Sequence, residues 1–162
     1  FSYISECADG PVRTVIGDAR LTLRNEPAGT YDLLLVDAFS SDAVPTHMLT
    51  VEAIREYLRL LKPDGLLVLH LSNRNLEITT PTLAAAQEIG VPYLHKLYGE
   101  NPDAPQMSEA STEAVVMSPT AEGLAPFAVD PRWQLNVPTN TPAWTDDYVN
   151  LFGAMVREAR SD

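Results

Sequence analysis

The sequence predicts an α/β fold built on a mostly parallel sheet, with helices on both faces and an antiparallel pair of strands at one edge. Three observations predict it. The runs Leu33–Val36 and Leu66–Leu71 have the unbroken hydrophobicity of strands buried on both faces. Between them lies a segment with helical spacing and signals at both ends, so the two strands are joined by a crossover helix and run parallel. Pro92–Tyr98 and Glu113–Ser118 also read as strands, but a loop separates them, which makes them the antiparallel pair.

Taken in order, Val12–Ile16 is short and β-branched and reads as a strand, followed by Gly17-Asp18-Ala19-Arg20. Leu21–Arg24 can start a short helix before Pro27-Ala28-Gly29 breaks it. The strand Leu33–Val36 then ends at Asp37. Thr50 is an N-cap for a helix to about Leu61, with Ile54, Tyr57, Leu58 and Leu61 on one face and Lys62-Pro63-Asp64-Gly65 as its stop. Thr80 followed by Pro81 opens a further helix that ends at Gly90. Residues 101–111 are loop by composition, and 119–143 are rich in Pro and Asn and read as irregular. Thr145 caps a last helix, with Asp146 and Asp147 in its first turn and Arg157 and Arg160 near its end, as the macrodipole prefers.

The 162 residues make a single domain, large enough to bury about 70% of the surface of the unfolded chain. Composition is that of a soluble protein, 45% hydrophobic and 20% charged, and no apolar run approaches the roughly 20 residues of a membrane span. Eleven basic against 22 acidic residues give a net charge of −11, which argues against a phosphate-tracking nucleic-acid binder and is compatible with a cationic ligand. The one cysteine, Cys7, has no internal partner for a disulfide and leaves the compartment open.

Parallel strands bring their carboxyl ends to one rim, where open α/β sheets bind ligands. Here those ends carry Gly17-Asp18, Asp37, and His70 with Ser72-Asn73-Arg74. Asp37 alone reads equally as a ligand-binding carboxylate or as a cap on the loop that follows. No glycine-rich phosphate cradle is present, and His47, His70 and His95 lack metal-ligand spacing. His70 lies in an apolar strand, where a hydrogen-bonded core histidine is the commoner reading. Ser40, His70 and Asp37 could be drawn as a Ser-His-Asp set, but no nucleophile elbow supports it.

Three segments resemble the polyamine aminopropyltransferase (spermidine synthase) superfamily: Val15–Arg20 (VIGDAR), Tyr31–Pro45 (YDLLLVDAFSSDAVP) and Leu61–Gly65 (LKPDG). Trp144-Thr145-Asp146-Asp147-Tyr148 resembles the closing motif of the bacterial spermidine-synthase-like branch often fused to membrane transporter segments. The resemblance runs from about Val12 to Leu151 and implies a Rossmann-like methyltransferase fold. It implies that Gly17, Asp18 and Ala19 contact the nucleoside of the donor, and that Asp37 holds or deprotonates the attacking amine. It makes Asp42, Asp146 and Asp147 candidates for substrate binding, although the Asp37 loop, DAFSSDAVP, is longer than the family's DSSDP. The donor implied is decarboxylated S-adenosylmethionine, or S-adenosylmethionine itself, as a co-substrate, with no tightly bound cofactor and no metal. The partner implied is a small cationic amine of the putrescine type.

The family's fold begins with a strand, a glycine-rich turn and a second strand ending in an acid. Nothing before Val12 matches these, so the expectation is a partial domain, truncated at its amino-terminal side and inactive as an isolated fragment. A homodimer, a cytoplasmic location and membrane segments in the parent protein are the accompanying expectations. Two alternatives stay open: an S-adenosylmethionine-dependent methyltransferase, and a non-catalytic interaction domain that keeps the fold.

Overall fold

In the computed structural model, residues 10–39, 44–73, 75–98 and 112–161 are described. The architecture is α/β. A short helix α1 (Ala19–Leu23) precedes strand β1 (Tyr31–Val36), and a 3-10 turn (Thr46–Met48) leads into α2 (Val51–Leu60). Strand β2 (Leu61–His70), α3 (Thr79–Ile89) and the hairpin strands β3 (Tyr93–Tyr98) and β4 (Thr112–Met117) follow. Helix α4 (Ala121–Ala128), a two-residue strand β5 (Gln134–Leu135) and α5 (Leu151–Ser161) complete the order.

The sheet runs β1-β2-β4-β3-β5. β1 and β2 pair in parallel, and β4 pairs antiparallel with both β2 and β3. Thus β1, β2 and β3 point the same way, while β4 and β5 run against them. The predicted antiparallel pair is present, but β4 is not at the edge: it returns between β2 and β3 and closes the ladder in the middle of the sheet.

Alternation along β2 sends side chains to two cores. Leu67, Leu69 and Leu71 join Ile54 and Tyr57 of α2, Leu83 and Ala85 of α3, and Trp144. Leu66 and Val68 turn to the other face, against Leu94, Val116 and Leu124 of α4. Helices therefore cover both faces. Thr50 caps α2 as the sequence predicts, its hydroxyl accepting from the Ala53 N–H at 3.2 Å.

Leu61 pairs with Tyr31 and Leu66 with Leu33, so Lys62–Gly65 bulges out of register between two points of one strand. The helix stop is also the entry to β2. Gly65 lies so close to β1 that an added Cβ would sit 2.9 Å from the Tyr31 carbonyl oxygen and 3.1 Å from the Lys62 nitrogen. Both neighbours are backbone and cannot rotate away. Gly65→Ala should cost about 1–3 kcal/mol, read as a lower denaturant midpoint at unchanged slope. An unchanged midpoint would show that the bulge is freely deformable.

Several local expectations give way to tertiary context. Val12–Ile16 forms no strand, and Ile16 is 91% exposed. It pairs with no strand among the described residues, and β-branched propensity cannot form a ladder alone. The segment is instead tied down by the ion pair of Arg13 with Glu26, which also accepts from the Tyr31 hydroxyl. Nor is β1 buried on both faces: Leu33 and Leu35, on one face of the strand, are 55% and 59% exposed.

The stretch read as irregular contains α4, despite Pro126 within it, because Leu124 is buried against β3 and β4. Helix α3 starts at Thr79 with Ile78, not Thr80, at its cap position, and the Glu77 Oε1 just before it accepts from the Thr80 N–H at 2.6 Å. Thr145 caps no helix. It forms a bridge with Tyr148, and α5 begins six residues later with the Asn150 side chain accepting from the Gly153 N–H at 2.8 Å. No helix among the described residues is long and apolar enough to cross a membrane.

Candidate active site

Because β1 and β2 are parallel and Val36 pairs with Leu69, the next residues of the two strands, Asp37 and His70, emerge side by side at the carboxyl rim. The Asp37 Oδ1 lies 2.8 Å from His70 Nδ1. Ser72, two residues on and therefore on the same side of the chain, places its Oγ 2.9 Å from His70 Nε2. The Glu113 backbone N–H, from the antiparallel β4, donates to that same hydroxyl oxygen at 2.9 Å. The Asp37 side chain is 58% exposed.

Asn73 fixes the segment that follows. Its Nδ2 donates to the Phe39 carbonyl at 2.8 Å, while its Oδ1 accepts from the N–H groups of Asn75 and Leu76. Phe39 itself is buried. A residue after β2 thus bonds to the loop after β1 two positions beyond Asp37.

A second cluster flanks this rim, at the amino-terminal end of α2. Arg20, buried on α1, makes a two-pronged bond to Asp146 at 2.7 and 2.6 Å and donates to the His47 carbonyl at 2.9 Å. Thr50 donates to Asp146 Oδ1 at 2.8 Å, and the Trp144 carbonyl accepts from the Val51 N–H. The Arg20 guanidinium holds the Asp146 carboxyl below its usual range. Nearby, burial pushes the Tyr57 phenol up to about 12.

The candidate residues divide between these clusters. Asp37 stands at the rim with His70 and Ser72. Asp18 is the N-cap of α1, its Oδ1 accepting from the Leu21 N–H at 3.1 Å, and Oδ2 lies 3.6 Å from His47 Nε2. The bond from Leu21 leads the effects that keep the Asp18 carboxyl below the usual range. Gly17, at φ +150°, and Ala19 flank that cap. Asp146 is engaged through both oxygens by Arg20, whereas Asp147 is exposed beside it. Asp42, Ser40 and Arg74 lie outside the described residues.

The sequence places Asp37 with His70 only in a Ser-His-Asp set with Ser40 that no nucleophile elbow supports, and it does not bring in Ser72. The available signal was the two-residue spacing of His70 and Ser72 at a strand end. Arg20 was also missed, since nothing in the sequence links it to an acid 126 positions away. Among the described residues, no group of three His, Cys, Asp or Glu side chains is placed to hold a metal ion.

No known family model matches the chain, and no curated protein matches it. Among solved structures it is similar to a probable spermidine synthase from Corynebacterium glutamicum ATCC 13032. The identity is 17%, the TM-score 0.56, and the match covers 85% of this chain and 55% of that one. The two share a fold, and this chain spans about half the length of that relative.

Proposed function

We propose that the chain carries the amine-side rim of a spermidine-synthase-like aminopropyltransferase, with Asp37 as the group that takes the proton from the attacking amine. The observation that carries this reading is the placement of Asp37: it follows a parallel strand, is bonded through Oδ1 to His70, and keeps more than half of its side chain exposed. The shared fold and the aspartate motif of the β1 loop support it.

In this reaction the amine nitrogen attacks the propyl carbon bonded to the donor's sulfonium. The new C–N bond forms as the C–S bond breaks, and the electron pair leaves on sulfur as a neutral thioether. The proton shed by nitrogen goes to Asp37. Charge at sulfur is annihilated rather than created, so the chain's work is to orient the amine and accept its proton. Asp147 and Asp42 are the acids left to anchor a distal ammonium, since Asp146 is committed to Arg20. Gly17, Asp18 and Ala19, at the start of α1, are the proposed contacts of the donor nucleoside, decarboxylated S-adenosylmethionine.

The full-length protein, given that donor and putrescine, should release methylthioadenosine and form spermidine. Formation of S-adenosylhomocysteine from S-adenosylmethionine, with no methylthioadenosine from the decarboxylated donor, would replace this reading with methyl transfer. No product with either donor would favour a non-catalytic domain.

A further inference from the structure

We infer that His70 is a positioning residue for Asp37, held as the Nδ1–H tautomer by Ser72 and the Glu113 backbone amide. The inference rests on the reading of Asp37 as the proton acceptor, and it adds a requirement that reading does not contain. With Asp37 ionised and His70 neutral, each proton in the chain of bonds has one place. The Glu113 N–H can only donate, so Ser72 Oγ accepts there and is free to point its own hydrogen at His70 Nε2. A neutral imidazole that accepts at Nε2 carries its proton on Nδ1, and an ionised Asp37 can only accept at that position.

Two consequences follow for the chemistry. The Nδ1–H holds Oδ1 and directs Oδ2 outward, so the carboxylate meets the amine in one orientation. The lone pair of His70 faces Ser72 rather than Asp37, so the imidazole orients the base without taking the substrate's proton itself. The arrangement Ser72–His70–Asp37 has the connectivity of a hydrolytic triad, but the Ser72 oxygen already accepts from the Glu113 N–H and the residue is partly buried. Ser72 therefore complements the tautomer that an ionised Asp37 requires. The other titratable group on the adjacent strand, Glu113, turns its carboxylate to His95 Nε2 at 2.8 Å and leaves His70 to Asp37.

The first test is independent of activity. Histidine free in water favours the Nε2–H form, so long-range ¹H–¹⁵N correlation spectra of the neutral imidazole of His70 should show the reverse, a protonated Nδ1 and an acceptor Nε2. Ser72→Ala should move the resonances back toward the solution pattern. A dominant Nε2–H form in the wild-type protein would overturn the inference even if Asp37 proves essential for transfer. The second test is kinetic. His70→Phe, which fills the site without a donor, should lower kcat about 10- to 100-fold with the amine KM nearly unchanged. His70→Asn, whose amide can replace Nδ1–H, should recover most of that loss. Equal activity of the Phe and Asn variants would overturn the positioning role. So would stoichiometric labelling of Ser72 by a fluorophosphonate, which would make it a nucleophile. If the full-length protein shows no aminopropyl transfer, the functional reading fails, and the spectra still decide the tautomer.

Discussion

Asp37→Asn should cut kcat by about 10²- to 10⁴-fold, the range for loss of a general base, while donor affinity stays close to that of the wild type. Asparagine keeps the shape of the side chain, and its carbonyl oxygen can still accept from His70 Nδ1–H, so the rim is not expected to collapse. What is lost is the negative oxygen that takes the proton. The matched control is Asp18→Asn. Asparagine is as good an N-cap as aspartate, so the Leu21 bond and α1 survive. Any fall in donor affinity would then report the charge and not the helix. Steady-state kinetics on the full-length protein separate the two, with the Asp37 change falling on kcat and the Asp18 change on donor binding. Wild-type turnover in Asp37→Asn would end the assignment, because Glu113, the other described acid beside His70 and Ser72, has its carboxylate on His95.

Arg20→Ala should destabilise the fold by about 2–3 kcal/mol. The Arg20 side chain is 8% exposed, but its partner Asp146 is 41% exposed, so solvent screens part of the pair. In the variant Asp146 keeps Thr50 and the amino-terminal end of α2, which limits the penalty of leaving it unpaired. The change should also release Trp144, whose carbonyl is bonded to the Val51 N–H beside this pair. The pH dependence carries a definite sign. The folded-state pKa of Asp146 is depressed, so the pair's contribution is fully present above the unfolded aspartate value near 3.9. It is lost as pH falls through the lower folded value. The stability gap between wild type and Arg20→Ala should therefore be flat above about pH 5 and narrow below about pH 4. A gap that stays constant to pH 2 would show that Arg20 stabilises by packing alone.

Asp37 could be found from sequence because its signal is local: an unbroken apolar strand that stops at an acid. Its pairing with His70 could be drawn from sequence but had no local signal to support it. His70 reads as a core histidine in an apolar strand, and only the parallel register of β1 with β2 brings its Nδ1 to Asp37. The acids of Trp144–Tyr148 show the opposite case. Asp146 and Asp147 have the look of a helix first turn, yet Arg20 draws Asp146 to α2 instead, and α5 starts at Leu151. A two-pronged ion pair with a buried guanidinium outweighs a capping preference worth about 1 kcal/mol.

What the sequence determined by itself were the elements whose signals lie within one turn or one strand. The α2 cap at Thr50, the stop of α3 at Gly90, the hairpin strands and the α/β class are all of this kind. What only the tertiary structure decided were the features that depend on a neighbour far along the chain. β4 lies inside the sheet, Val12–Ile16 is not a strand, α4 forms across Pro126, and Ser72 is aimed at His70. The physical reason is the same for each. Capping and periodicity are energies of adjacent residues, whereas strand pairing, face burial and a shared proton are energies of residues that meet only after the chain has folded.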